Sequence, residues 1–267
     1  MDNRPIGVFD SGVGGLTVVK QVMKLLPHEK IIYFGDTARL PYGSKSKEAV
    51  TRFSKQIVRF LLTRDVKAVV AACNTVSSNS LDELRKDFDV PIFGVVMAGA
   101  RDAVSSTKNN RVGIIGTSAT VRSGAYERLI LSLNPDISVY QKACPLFVPL
   151  VEEGFTDNEI VRLIVKEYMS GFLSTGIDSI VLGCTHYPLL KKCIGETAGS
   201  DILILDPAAS AVSEVKEYLE KEGGLSGDTS FKEHVFYLSD ITEKFDMLCK
   251  MALNKTFVPK AVDIEKY

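Results

Sequence analysis

The sequence has no surplus of either charge. Thirty-two Lys and Arg stand against 33 Asp and Glu among 267 residues, a net charge of −1. The basic face that nucleic-acid binding favours is therefore missing. No apolar run approaches the length of a membrane span. The first residues, Met1-Asp2-Asn3-Arg4-Pro5, hold no signal-peptide core and lead straight into a strand-like run. Cysteine is scarce: five, an odd number, widely scattered. That excludes a disulfide framework, and the absence of Cys-x-x-Cys spacing excludes the common metal sites. What remains is an ordinary globular chain, 45% hydrophobic and 24% charged. It can bury a large core, and its thiols read as the reduced cysteines of a cytoplasmic protein.

Short apolar runs alternate with helical periodicity. Ile6-Gly7-Val8-Phe9, Ile31-Ile32-Tyr33-Phe34, the run ending at Ala72 and Pro91–Val96 read as strands. The helices between them carry one apolar face, as at Leu16, Val19, Val22 and Leu26. One helix follows Cys73 as far as Leu84, and Thr37–Ser46 reads as an exposed loop. Such alternation predicts parallel βαβ units. The pattern then starts again. Arg111–Thr117 resembles Pro5–Ser11, with 106 positions from Ile6 to Val112 and 111 from Cys73 to Cys184. Near-equal offsets predict an internal duplication. Ile202–Leu205 would then match the strand at Ile92. The expected fold is α/β: two similar lobes, each a mostly parallel sheet flanked by helices, with the site in the cleft between them. The tail beyond Asp206 has no equivalent after the first repeat and returns to the first lobe. That gives a first lobe of 1–97 plus 208–267 and a second of 98–207.

Chemistry gathers at strand ends, the edge where open α/β sheets bind ligands. Gly12-Val13-Gly14-Gly15-Leu16-Thr17 imitates a dinucleotide turn, and Asp36 stands where a ribose-binding acid would. Thr17 replaces the third glycine and Asp10 sets a negative charge beside the phosphate position, so the glycines are assigned to bending and close packing. Asp10 and Ser11 are then free to meet a small polar ligand. Cys193 and Cys249 fall in helical patterns and Cys144 precedes Pro145, which suits buried apolar thiols. Cys73 and Cys184 differ. Each ends a strand beside polar residues at matching points of the repeat. A helix N-terminus there would lower the thiol pKa. Asp10 is the titratable neighbour expected for Cys73 and His186 for Cys184. Facing thiols allow a disulfide switch, a metal site, a cysteine nucleophile or two-sided proton transfer at carbon. The last needs both thiols.

Three motifs carry a family likeness: Asp10-Ser11-Gly12-x-Gly14-Gly15, Cys73-Asn74-Thr75 and Gly183-Cys184-Thr185-His186-Tyr187-Pro188. Together they resemble the glutamate racemases of the aspartate/glutamate racemase superfamily, over nearly the whole chain. The resemblance implies two α/β lobes around the substrate, neither pyridoxal phosphate nor metal, and a bacterial enzyme supplying D-glutamate for the cell wall. It implies that Cys73 takes the proton from D-glutamate and Cys184 from L-glutamate. Asp10 assists the first thiol, Glu152 and His186 the second. Ser11, Tyr42, Gly43, Asn74, Thr75, Thr117, Thr120 and Thr185, with Asp10 and His186, hold the carboxylates and ammonium. A homodimer is expected on the same likeness. Blander roles stay open: His186, Thr117 and Thr120 as helix caps, and Glu152-Glu153 as a solvated pair. The competing activities are an aspartate racemase, or a related isomerase or decarboxylase, and a binding protein for an acidic amino acid without turnover.

Overall fold

Runs such as Ile6–Phe9 are short, apolar and closed by glycine or polar residues, which suits strands covered on both faces. The computed structural model describes residues 1–230 and 233–267. Among the described residues the strands are β1 (Ile6–Asp10), β2 (Ile31–Gly35), β3 (Ala68–Ala71), β4 (Ile92–Gly94), β5 (Arg111–Gly116), β6 (Ser138–Ala143), β7 (Ser179–Gly183), β8 (Leu203–Leu205), β9 (Val235–Leu238) and β10 (Lys260–Ala261). They form a six-stranded sheet, β10-β9-β2-β1-β3-β4, and a four-stranded sheet, β6-β5-β7-β8. Every pairing is parallel.

The order β2-β1-β3-β4 repeats as β6-β5-β7-β8. This is the duplication expected from the spacing, seen as topology. Cys73 lies just beyond β3 and Cys184 just beyond β7, the equivalent strands. The tail adds β9 beside β2 and β10 beside β9, so it extends the first sheet. Helix Ala208–Lys221 packs against helices Leu16–Leu25 and Val95–Ser106. One core cluster, including Val13, Leu16, Ala72, Leu182 and Val212, is continuous between the two sheets. Two others cover their far faces, around Phe34 and Phe60 and around Ile114 and Tyr126.

Several local expectations need correction. The helix after Cys73 is two, Asn74–Asn79 and Leu81–Asp87. They break at Ser80, whose buried hydroxyl bonds Thr51 Oγ1 at 2.8 Å. β4 stops at Gly94, and Val95 already belongs to the next helix. β6 was not foreseen at all: its residues are half-buried or exposed, so it lacks an apolar run. Thr37–Ser46 is an exposed loop only in part. It forms two short 3-10 turns, Thr37–Arg39 and Tyr42–Ser44, with Thr37 and Tyr42 buried.

Candidate active site

The first turn is shaped by contact between the halves. A Cβ on Gly14 would stand 2.6 Å from Thr185 Oγ1 and run into the His186 ring. Glycine lets the second half close on this turn. Thr17 replaces a dinucleotide glycine because its hydroxyl donates to Gly14 O at 2.9 Å and to Thr185 O at 3.2 Å. The nucleotide reading has no support in this arrangement.

Cys73 and Cys184 line one pocket, together with Ser11, Asn74, Thr75, Thr117, Thr185 and His186. Leu40, Pro41, Tyr42, Gly43 and Val148 complete its wall. Its free volume is about 20 Å³. That is room for about one water molecule. An amino acid does not fit that space as it stands.

On the Cys73 side, the thiol lies 3.7 Å from Ser11 Oγ. Asp10 is fully buried. Its carboxylate accepts from the Gly12 amide at 3.1 Å and from Thr185 Oγ1 at 3.2 Å. Burial raises the Asp10 pKa, against the pull of His186 and of the Gly12 and Gly15 amides. Burial, then the Asp10 charge, push the Cys73 thiol up to about 12. The lowering expected from a helix N-terminus is therefore overruled at Cys73. The Val76 amide does favour the thiolate, but desolvation of a wholly buried sulfur wins.

On the Cys184 side, the sulfur lies 3.8 Å from His186 Nδ1, and His186 Nε2 meets Glu152 Oε1 at 2.5 Å. Burial alone would lower the histidine's pKa. Its contacts with Cys184 and Glu152 outweigh burial and hold it well above the ordinary histidine range. Glu152 and Glu153 are now separate cases. Glu152 ends the helix Phe147–Glu152 facing the imidazole. Glu153 pairs with Lys244 at 2.5 Å on the surface.

A threonine cluster bridges the halves. Thr75 Oγ1 lies 3.0 Å from Thr117 Oγ1 and 3.4 Å from Thr120 Oγ1. Thr117 also caps its helix, accepting from the Thr120 amide at 3.2 Å. Gly43 sits against Thr117 so closely that a Cβ would come within 2.6 Å of Thr117 Cβ. Asp10, Glu152 and Thr120 stand one residue behind the wall and act on it through Thr185, His186 and Thr117. The Tyr42 hydroxyl is committed to Asp36 Oδ2.

A family model, Asp/Glu/Hydantoin racemase, matches residues 15–215. The chain belongs to that family. It is 50% identical to a glutamate racemase of Geobacter metallireducens over 91% of this chain and 90% of the relative. Among solved structures it is similar to a Francisella tularensis glutamate racemase in complex with D-glutamate. That likeness has a TM-score of 0.94 and 41% identity, and covers 100% of both chains. A Thermus thermophilus glutamate racemase in complex with beta-chloro-D-alanine superposes with a TM-score of 0.90 at 43% identity, again over 100% of both chains.

Within this racemase-family site, sequence reasoning missed the apolar wall and one support. Val148 lies four residues before Glu152 on the same short helix. That i,i+4 spacing could have revealed it. Tyr126 donates to Asn74 Oδ1 at 2.7 Å, orienting the amide. The two lie 52 positions apart, and nothing in the sequence links them. Among the described residues, no three His, Cys, Asp or Glu side chains gather into a metal-binding group.

Proposed function

We propose that this protein is a glutamate racemase, interconverting L- and D-glutamate by two-sided proton transfer at the α-carbon. The observation that carries the reading is the pair of thiols, Cys73 and Cys184, at equivalent strand ends of a duplicated fold and on one pocket. A binding protein has no need of two such thiols. A disulfide switch does not account for the His186–Glu152 pair or the threonine cluster. In the forward direction Cys184, assisted by the His186–Glu152 pair, removes the α-proton of L-glutamate. Cys73 then delivers its proton to the opposite face, and the reverse reaction exchanges the roles. With its pKa pushed up to about 12, Cys73 keeps its proton near neutral pH and is in the form that can deliver one. To act as base on D-glutamate it must lose its proton, and the substrate's ammonium brings a positive charge that favours the thiolate. The thiols supply both proton steps, so the reaction calls for neither pyridoxal phosphate nor metal.

Ser11, Asn74, Thr75 and Thr117 supply donors for the carboxylates, and the Thr185 hydroxyl, which donates to Asp10, offers its oxygen as an acceptor for the ammonium. Tyr42-Gly43 meets the distal carboxylate. Aspartate, one methylene shorter, leaves those donors unpaired in a closed cleft, a larger penalty than the methylene itself. We assign residues 1–97 plus 208–267 to one lobe and 98–207 to the other, with closure between them excluding water around the carbanion. On the family likeness we also assign the product to peptidoglycan synthesis in the bacterial cytoplasm and the active form to a homodimer. The deciding experiment follows optical rotation of L-glutamate with no added cofactor, in heavy water. The expected outcome is decay to zero rotation with deuterium at the α-carbon of the inverted product. No decay, or inversion with the original hydrogen retained, sinks the reading. A kcat/KM for aspartate equal to or above that for glutamate would move the substrate to aspartate.

A further inference from the structure

The two halves carry different segments after equivalent strands. After β6 comes a helix, Phe147–Glu152, held by its own backbone bonds. After β2 come two single 3-10 turns, Thr37–Arg39 and Tyr42–Ser44, too short to hold themselves. Part of their hold comes from the tail. Thr37 Oγ1 donates to Asp240 O, and the Asp240 amide donates back to it at 3.0 Å. The Ala38 amide donates to Ser239 Oγ at 2.9 Å. Arg39 Nη1 donates to Glu265 Oε1 at 2.9 Å and to Gln56 Oε1 at 2.6 Å, while its Nε donates to Asp36 Oδ2 at 2.8 Å. That same carboxylate oxygen receives the Tyr42 hydroxyl. The guanidinium lies 4.1 Å over the Phe53 ring, which also packs on Tyr42. Asp36 is fully buried, whereas Glu265 is 67% exposed.

We infer that the C-terminal tail is a positioning element for the substrate wall, acting through Glu265, Arg39 and Asp36 on Tyr42-Gly43. A planar guanidinium can reach three acceptors at fixed angles, which a lysine cannot. Arg39 thereby transmits the position of the tail to the buried carboxylate that orients Tyr42. The inference rests on the racemase reading, in which Tyr42-Gly43 meets the distal carboxylate.

The test compares three variants of the full chain. Glu265→Ala removes an exposed acceptor and should raise KM for glutamate about two- to fivefold with kcat nearly unchanged, the range of an exposed ion pair. Arg39→Lys keeps the charge but loses the fork; KM should rise about tenfold, and the preference for glutamate over aspartate should narrow. Tyr267→Ala removes a ring packed 5.2 Å from Phe60 without touching the polar chain. It should lower Tm and leave KM alone. Hydrogen exchange of residues 37–44 should quicken in the first two variants and not in the third. Unchanged KM and unchanged exchange in the first two overturn the inference. So does a Tyr267→Ala variant that raises KM as much as they do while exchange at 37–44 stays at the wild-type rate. A wild type that fails to racemise glutamate would remove the racemase reading, and exchange at 37–44 would still report whether the tail holds the loop.

Discussion

The Cys73 and Cys184 sides of the pocket share a strand order and differ in charge. Both sulfurs follow the same strand of a repeated sheet and both are buried. Around Cys73 there is a hydroxyl and a buried carboxyl, and the thiol is pushed up to about 12. Around Cys184 there is an imidazole whose pKa its contacts with the thiol and with Glu152 hold well above the ordinary histidine range. Duplication supplied the symmetry that placing a group on each face of a carbon requires. The flanking residues broke it: β1 ends in Asp10 where its equivalent β5 ends in Gly116, and two positions after Cys184 stands His186 where Thr75 follows Cys73. Each thiol therefore has its own polar neighbours within one small cavity.

The sharpest way to break this comparison is to remove one thiol at a time. Cys73→Ala and Cys184→Ala should each cut racemisation by about 10³-fold or more, since each removes an acid/base partner outright. The remaining thiol should still exchange one enantiomer's α-hydrogen without inverting it. Cys184→Ala should label D-glutamate and Cys73→Ala should label L-glutamate in heavy water. A variant that labels both enantiomers, or near-normal racemisation in either, defeats the two-sided assignment.

Next comes the charge pair. Glu152→Gln should lower kcat/KM about ten- to a hundredfold by releasing the imidazolium. An equilibrium constant of one forces that fall to be equal in both directions, so kcat/KM cannot reveal the side. Labelling can. Added to Cys73→Ala, Glu152→Gln should slow exchange of L-glutamate; added to Cys184→Ala, it should leave exchange of D-glutamate nearly intact. Equal slowing in both backgrounds would mean that Glu152 serves the whole site rather than one thiol.

A smaller effect tests where the halves meet. Gly14→Ala drives a methyl into His186 and Thr185 and should cost about 1–3 kcal/mol of stability or closure. Gly12→Ala meets nothing nearer than 3.7 Å. Denaturant melts should place it within about 0.5 kcal/mol of wild type. Equal costs for the two would show that Gly14 is not the contact point.

The smallest effect is in the pH dependence of stability. His186 has a raised pKa in the fold, so its contribution is fully present below about 6.5 and is lost as pH rises through the folded value. His186→Gln should therefore be most destabilising near pH 6 and less so in alkali. Asp10 is also raised, so its ionised form burdens the folded state above about 3.8. Asp10→Asn should gain on the wild type as pH climbs through the folded Asp10 value. Melting curves that ran parallel across pH for either variant would contradict the shifts.

The sequence by itself determined the strands, the repeat and the two cysteines. Buried parallel strands are continuous apolar runs, and a thiol followed by polar residues marks where such a run ends. β6 escaped because its residues are not an apolar run. Glu152 and its neighbour could not be told apart because they are adjacent acids at one helix end. Only the tertiary structure turned Glu152 to His186 and Glu153 to Lys244. The Cys73 pKa followed the same rule: a strand end and a helix start predict a lowered value, but burial is a property of the assembled halves, and it outweighed the amides. Thr37–Ser46 looked exposed because its partners lie some 200 positions away, at Ser239, Asp240 and Glu265. Hydrogen bonds across that separation leave no periodicity in the chain, so the position of this pocket wall was decided by the fold alone.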